Sequence, residues 1–183
     1  MRLLSEPARR CAVLVTGPVR SGKSRFAVGL AKDSGRRVIF VATCQPRDAE
    51  MRTRVRRHRC RRPRTWPTCE EPLRLPERIR QARKGELLLV DCLTLWISNL
   101  LEADGSERAA RRQIRRLCEA VRSTPASVIL VSNEVGWGIV PEYASARLFR
   151  DLVGSAHQQL ARCCSDVFLV VCGLPQALKK GVG

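Results

Sequence analysis

The chain alternates short apolar runs with longer stretches in which apolar residues recur at helical spacing. The short runs have the length and the β-branched composition of buried strands. They span residues 12–16, 37–43, 86–91, 127–132 and 167–172, and the fifth is expected to be the last strand. This alternation predicts an α/β fold, a three-layer sandwich with a mainly parallel central sheet.

The remaining periodic stretches predict helices, with one irregular connection among them. The predicted helices span 25–31, 48 to about 58, 77–84, 93–101, 107–122 and 147–162. Residues 59–76 contain prolines at 63, 67, 72 and 76, and this predicts irregular structure. We therefore interpret residues 1–11 as an N-terminal extension and residues 12–183 as a single α/β domain.

A glycine-rich segment follows the first predicted strand and precedes the first predicted helix. It reads Gly17-Pro18-Val19-Arg20-Ser21-Gly22-Lys23-Ser24 and fits G-x-x-x-x-G-K-[ST], the phosphate-binding loop (P-loop) of nucleotide-dependent enzymes. Such a loop directs backbone N–H groups at one anion, and the helix N-terminus adds positive potential. Lys23 is expected to reach the β- and γ-phosphates, and the Ser24 hydroxyl is expected to hold Mg²⁺.

A carboxylate ends the third predicted strand. Asp91 follows four apolar residues, at the edge of a parallel sheet where ligands bind. One interpretation is that Asp91 holds Mg²⁺ opposite Ser24, directly or through water. The alternative is that its side chain caps the helix that begins near Leu93.

Net charge requires that a nucleic-acid partner be considered. The formal charge is +17, and only five of the 34 basic residues are lysines. Four Phe, three Trp and one Tyr offer few stacking platforms, and no nucleic-acid-binding motif is present. An RNA- or DNA-binding protein with a vestigial loop is therefore the less favoured class, and a polyphosphate substrate also accounts for the charge.

Cysteine usage and the apolar runs bear on metal and compartment. Nine cysteines occur without a C-x-x-C pair, and only two histidines accompany them, which favours reduced thiols over a zinc site. No run approaches the roughly 20 apolar residues of a membrane span, and residues 1–10 lack the apolar centre of a signal peptide. A cytoplasmic protein is the expectation.

One histidine lies among many arginines. His58 is flanked by eight arginines between Arg52 and Arg64. Neighbouring cations are expected to lower the pKa of His58, and a neutral imidazole can attack an α-phosphate to form a phosphoramidate. The alternative is a solvated basic helix in which the histidine has no role.

Several separated segments resemble the bifunctional adenosylcobinamide kinase / adenosylcobinamide-phosphate guanylyltransferase family. The longest are Asp91-Cys92-Leu93-Thr94-Leu95-Trp96 with its continuation to Leu101, and Asn133-Glu134-Val135-Gly136-Trp137-Gly138-Ile139-Val140-Pro141-Glu142. The others are the phosphate loop, 41–45, 48–51, Arg54 with His58, Arg62 to Glu71 at selected positions, 149–154 and 170–175. Together they extend over about residues 12–180.

This resemblance implies two reactions of cobalamin biosynthesis. The γ-phosphoryl of ATP or GTP goes to adenosylcobinamide, and GMP from GTP then goes to the resulting phosphate. His58 occupies the position of the family's GMP-carrying histidine, while His157 is expected to be incidental. The implied nucleotide contacts are Gly17, Pro18, Val19, Arg20, Ser21, Gly22, Lys23, Ser24, Thr43, Cys44, Gln45, Arg59, Cys60, Arg61, Arg62, Glu70 and Asp91.

Other implied features are less specific. Mg²⁺, GTP, ATP and a corrinoid are the expected ligands, and a homotrimer is the expected assembly. Glu134 either orients substrate or a Mg²⁺-bound water, or caps the next turn. Trp137 and Tyr143 pack against the corrinoid or against a neighbouring subunit. A P-loop kinase of another small molecule, which forms no covalent intermediate, is the alternative activity.

Overall fold

The computed structural model describes residues 10–45, 49, 53 and 62–181, and in this part of the chain the strands form one sheet of seven. The strand order is β3-β2-β4-β5-β1-β6-β7; all neighbours are parallel except the antiparallel pair β6–β7. The strands are β1 (Ala12–Thr16), β2 (Arg37–Ala42), β3 (Thr68–Glu70), β4 (Glu86–Asp91), β5 (Ser127–Val131), β6 (Asp166–Val171) and β7 (Leu174–Lys179).

Helices cover both faces of this sheet. They are α1 (Lys23–Asp33), α2 (Leu75–Arg80), α3 (Leu93–Asp104), α4 (Glu107–Ser123) and α5 (Ala144–Cys163). Helix α1 packs on one face, while α2 to α5 form the layer on the other. The predicted three-layer α/β fold with a mainly parallel sheet is confirmed.

The core divides into two layers because alternate residues of each strand point to opposite faces. Val13 and Val15 pack with α1, whereas Leu14 packs with the layer of α3 to α5. Both faces are therefore apolar, as expected for strands buried on both sides. Trp96 of α3 is fully buried, and its indole Nε1 donates to the Leu73 carbonyl at 3.0 Å, so its one polar atom is satisfied.

Most predicted elements are present, with two strands added. The helix predicted at 107–122 is α4, whose buried positions recur at helical spacing, and its N-cap Ser106 accepts from the Ala109 N–H. The prediction of irregular structure over 59–76 is wrong at Thr68–Glu70, because β3 forms there by parallel pairing with β2. The strand predicted last, at 167–172, is followed by β7.

Two departures have local causes. The turn between β6 and β7 consists of Cys172 and Gly173, both with positive φ (52° and 81°), as a two-residue hairpin turn of type I′ requires. Helix α2 begins two residues before the predicted start at 77 and includes Pro76 in its first turn, where a missing N–H removes no helical hydrogen bond.

The helix predicted at 48 to about 58 lies largely outside the described residues. Ala49 and Thr53 are described and helical, and the Thr53 hydroxyl donates to the Ala49 carbonyl at 2.9 Å. Among the helices that the structure describes, none is long and apolar enough to cross a bilayer.

Candidate nucleotide and phosphoryl-transfer site

The glycine-rich segment forms a tight loop between β1 and α1. Gly22 is the N-cap of α1 and has a φ of 96°. Lys23 and Ser24 are the first two residues of the helix. The loop closes on itself, because the Ser21 N–H donates to the Pro18 carbonyl at 3.2 Å. It is also joined to the β6–β7 turn, where the Gly173 N–H donates to the Ser21 carbonyl at 2.8 Å. This is the strand–loop–helix context that a phosphate-binding loop requires.

Polar groups in and beside the loop suit an anionic ligand. Lys23 is only 7% exposed, and its Nζ donates to the Pro18 carbonyl at 3.1 Å. Burial lowers the pKa of Lys23, an effect that the charge of Asp91 partly offsets. Within the described part of the chain the buried hydroxyls of Thr16 and Ser21 have no hydrogen-bond partner, although buried polar atoms are generally satisfied.

Asp91 ends β4 at the level of the phosphate loop. The register pairs Asp91 with Val131 of β5, and Val131 is next to Val15 of β1, two residues before Gly17. The N-cap of α3 is Cys92 and not Asp91, so capping does not account for the carboxylate. A hydroxyl at Ser24 and a carboxylate at Asp91 are oxygen ligands of the kind that Mg²⁺ prefers, and the donor set fits this ion.

A buried network fixes the chain that follows β2 and β4. The Thr43 hydroxyl donates to the Cys92 carbonyl at 2.7 Å and accepts from the Cys92 N–H at 2.9 Å. Asn99 of α3 donates to the carbonyls of Thr43 and Pro72 at 2.8 and 3.0 Å. Thr43 is fully buried, so in this structure it supports the site from the protein interior. Asn99 belongs to the Asp91–Leu101 segment noted in the sequence, but its role in holding Thr43 and Pro72 was not predicted.

Two further predicted contacts lie at the β3 edge of the sheet. The Arg62 guanidinium stacks on Phe40, 3.6 Å from the ring centroid, and donates to the Thr68 hydroxyl at 3.1 Å. Glu70 is exposed at the end of β3. Since β2, β4 and β5 separate β3 from β1, these residues lie about four strand spacings, roughly 19 Å, from the strand that leads into the loop.

The remaining predicted site residues divide between described and undescribed parts of the chain. Thr43 directly follows β2, and Cys44 and Gln45 come next. Gln45 is exposed. His58 and the contacts predicted at 59–61 lie outside the described residues. Their roles stay predictions.

The chain beyond β5 borders the loop directly. The Glu134 N–H donates to the Gly17 carbonyl at 2.9 Å, and the Asn133 amide donates to the Thr94 hydroxyl at 2.8 Å. Glu134 Oε1 accepts from the Gly136 N–H at 2.7 Å, so this carboxylate does cap its own turn. His157 of α5 contacts both Ser132 and Glu134, and its expected lack of a role stays a prediction.

Gly17 offers a direct test of how tightly the loop is built. Its φ is +153°, and a Cβ there would lie 2.3 Å from the Val170 carbonyl oxygen and 2.9 Å from Ser21 Oγ. We expect Gly17→Ala to lower the free energy of unfolding by about 2–3 kcal/mol through strain and displacement of backbone. Thermal and urea unfolding measure the loss, and isothermal titration with GTP is expected to show no binding.

Gly29 provides the matched control. It lies inside α1, and a Cβ there meets nothing within 4 Å. Gly29→Ala is expected to stabilise the chain by about 0.5–1 kcal/mol, because alanine is the better helix former. Equal effects of the two substitutions would contradict the proposed close packing of Gly17.

The fold and the loop define a P-loop α/β protein, and solved structures show the same fold. The flagellar accessory protein FlaH from Methanocaldococcus jannaschii superposes with a TM-score of 0.54 at 12% identity, over 93% of this chain and 79% of that one. A prototypical ATPase from the type III secretion system of pathogenic bacteria gives a TM-score of 0.56 at 12% identity, over 91% and 56%. At these identities the likeness establishes fold alone.

Sequence relatives are more specific. The family model described as "Cobinamide kinase / cobinamide phosphate guanyltransferase" matches residues 13–178. The bifunctional adenosylcobalamin biosynthesis protein CobP from Pseudomonas aeruginosa is 46% identical over 167 residues, covering 91% of this chain and 96% of that protein. The corresponding protein CobU from Escherichia coli is 41% identical over 180 residues, covering 91% and 99%.

The chain therefore belongs to the cobinamide kinase / cobinamide phosphate guanyltransferase family. The predicted class, a bifunctional kinase and guanylyltransferase of cobalamin biosynthesis, is confirmed at this level.

Proposed function

We propose that the chain carries out two successive transfers on adenosylcobinamide. In the first, the hydroxyl oxygen of the aminopropanol arm attacks the γ-phosphorus of ATP or GTP. The bond to the β-phosphate oxygen breaks, the nucleoside diphosphate leaves, and the hydroxyl proton is released. In the second, the new phosphate receives GMP from GTP, which gives adenosylcobinamide-GDP and pyrophosphate.

The phosphate loop supplies the binding for both reactions. Its backbone N–H groups and the N-terminus of α1 lie where β- and γ-phosphates bind in loops of this kind, and Lys23 adds a positive charge there. Ser24 and Asp91 would hold Mg²⁺, which when bound neutralises charge on the phosphate oxygens. The buried hydroxyls of Thr16 and Ser21, which have no hydrogen-bond partner among the described residues, support this use of the loop.

His58 would carry the guanylate in the second reaction. A ring nitrogen attacks the α-phosphorus of GTP, a P–N bond forms, and pyrophosphate leaves. The phosphate of adenosylcobinamide phosphate then attacks the same phosphorus, the P–N bond breaks, and the free imidazole returns. A covalent intermediate divides a displacement between two anions into two easier steps and keeps GMP bound as pyrophosphate departs.

The observation that carries this proposal is the family match across residues 13–178, which includes both the loop and His58. Its test is incubation of the purified protein with adenosylcobinamide, Mg²⁺ and either ATP or GTP, followed by mass spectrometry of the corrinoid. We expect adenosylcobinamide phosphate with either nucleotide and adenosylcobinamide-GDP with GTP. Phosphorylation that never continues to adenosylcobinamide-GDP would favour a kinase without the second activity.

A homotrimer is the assembly that we propose. An apolar patch follows β5 on the chain surface, and its members are Trp137, Ile139, Val140 and Tyr143, 64–97% exposed. Exposed apolar groups at this density mark an interaction surface. The family resemblance is what points to three copies.

Ile139→Asp tests that assembly without disturbing the fold of the chain, since this side chain is 97% exposed. Sedimentation velocity is expected to give a trimer for the unmodified protein and smaller species for Ile139→Asp. As a control for folding, the thermal unfolding midpoints of the two proteins are compared at low concentration. A monomeric unmodified protein would contradict the proposed trimer.

A further inference from the structure

A largely buried histidine outside the phosphate loop touches the segment that borders it. His157 lies in the middle of α5, with its side chain 14% exposed. Its Nε2 is 2.7 Å from Ser132 Oγ, and its Nδ1 is 3.7 Å from Glu134 Oε2. Ser132 follows β5 directly, so the ring joins α5 to the end of the strand next to β1.

The chemistry of the partners decides which ring nitrogen carries the proton. Oε2 of Glu134 faces Nδ1 at 3.7 Å, which is longer than a hydrogen bond, and a carboxylate oxygen favours the proton on the nitrogen that faces it. With the proton on Nδ1, Nε2 accepts from the Ser132 hydroxyl. Burial lowers the pKa of His157, an effect that the charge of Glu134 partly offsets, and the lowered pKa favours the neutral ring.

The arrangement resembles a serine–histidine–acid triad in composition, but it does not work as one. Ser132 has no exposed surface, so its hydroxyl cannot reach a substrate. The exposed member is also different, since the carboxylate and not the serine has access to solvent, at 21% exposure. The exposed end of this cluster is therefore Glu134.

Glu134 is held on its other sides by contacts with the site. Its N–H donates to the carbonyl of Gly17, the first residue of the phosphate loop, and its Oε1 accepts from the Gly136 N–H. These contacts leave Oε2 as the carboxylate oxygen that faces His157. Among the described side chains, the His157 ring is the one that faces this oxygen at the edge of the loop.

We propose that His157 is a positioning residue for phosphoryl transfer, acting through Nδ1–H on the orientation of the Glu134 carboxylate at the edge of the phosphate loop. This inference rests on the proposed function, because it assigns the effect to the transfer of phosphate to adenosylcobinamide. In this proposal Glu134 acts on the acceptor, whereas the loop and Lys23 bind the nucleotide.

Two substitutions separate positioning from packing. His157→Asn keeps an N–H near the place of Nδ1, and His157→Gln keeps one near the place of Nε2. We expect His157→Gln to lower kcat of the phosphorylation of adenosylcobinamide about tenfold with KM for the nucleotide changed less than twofold. His157→Asn is expected to retain kcat within about threefold. Labelling by α-labelled GTP is expected to persist in both.

Equal losses in His157→Gln and His157→Asn, or a rise in KM in place of a fall in kcat, would overturn the proposal and leave a packing role. Failure of the proposed function is distinguishable, because the unmodified protein would then form no adenosylcobinamide phosphate.

Nitrogen NMR of the histidine-labelled protein tests the inference independently of any substrate. The chain has two histidines, so comparison with His157→Asn assigns the ring. A neutral ring protonated at Nδ1 is expected at pH 7.5, and protonation at Nε2 alone would overturn the proposal.

Discussion

Replacement of His58 by alanine is expected to abolish labelling of the protein by α-labelled GTP, a loss of at least about a thousandfold. The proposed label is a P–N bond from the imidazole to the α-phosphorus, and alanine has no atom that can form it. The measurement is acid precipitation or gel separation of the protein after incubation with labelled GTP and Mg²⁺. Because a phosphoramidate is labile in acid, the precipitation is brief and gel separation at alkaline pH accompanies it.

Two comparisons make the His58 result specific. Phosphorylation of adenosylcobinamide should continue in His58→Ala, since that reaction needs the loop and no histidine nucleophile. His157→Asn removes the other histidine of the chain and should still take up label. Persistent labelling of His58→Ala would show that another residue carries the guanylate, and the assignment would be wrong.

Lys23→Ala is expected to lower both phosphoryl transfer and GMP labelling by about 10²–10³-fold, the range associated with loss of one preorganised charged donor. Lys23 is buried at the first position of α1, and its ammonium reaches back into the loop to the Pro18 carbonyl. In the proposed mechanism, alanine removes the charge that compensates the β- and γ-phosphates in either reaction. Steady-state rates with ATP and with GTP, together with the labelling assay, measure the two losses.

Lys32→Ala is the matched control for Lys23. Lys32 belongs to the last turn of the same helix and is exposed. It has no contact with the loop in the described structure, so both reactions should remain near their original rates. Full phosphoryl transfer by Lys23→Ala, with labelling lost, would mean that the two reactions use different nucleotide sites.

Sequence patterns predicted the elements that are governed by local physics. β4 was predicted at 86–91, its observed extent, because a continuous apolar run buried on both faces differs sharply from its flanks. Helix α4 was predicted within one residue for the same kind of reason, since its apolar side chains recur on one face. The phosphate loop was predicted because its chemistry lies in eight consecutive residues.

Elements formed by tertiary contact were missed. β7 is mostly exposed, with Leu174 and Leu178 facing outward and Pro175 within it, so it has no buried alternation to detect. It exists because the turn at Cys172 and Gly173 folds it onto β6. β3 has only three residues and depends on pairing with β2.

The candidate site shows the same division. Lys23, Ser24 and Asp91 can be picked out from short local patterns. Lys23 and Ser24 begin α1 and Asp91 ends β4, as those patterns predict. His157 is 23 residues from Glu134, and its contact arises from the packing of α5 against the end of β5. No spacing rule links two such positions in a single sequence, so only the folded chain could reveal the pair.

The most direct test of one nucleotide pocket with a histidine carrier is the intact mass of the protein after incubation with GTP and Mg²⁺. We predict one added guanylate per chain in the unmodified protein, none in His58→Ala and at most a trace in Lys23→Ala. Addition of adenosylcobinamide phosphate should discharge the adduct and release adenosylcobinamide-GDP. An unmodified protein that makes adenosylcobinamide-GDP while its mass never changes, even after rapid quenching at alkaline pH, would contradict the account.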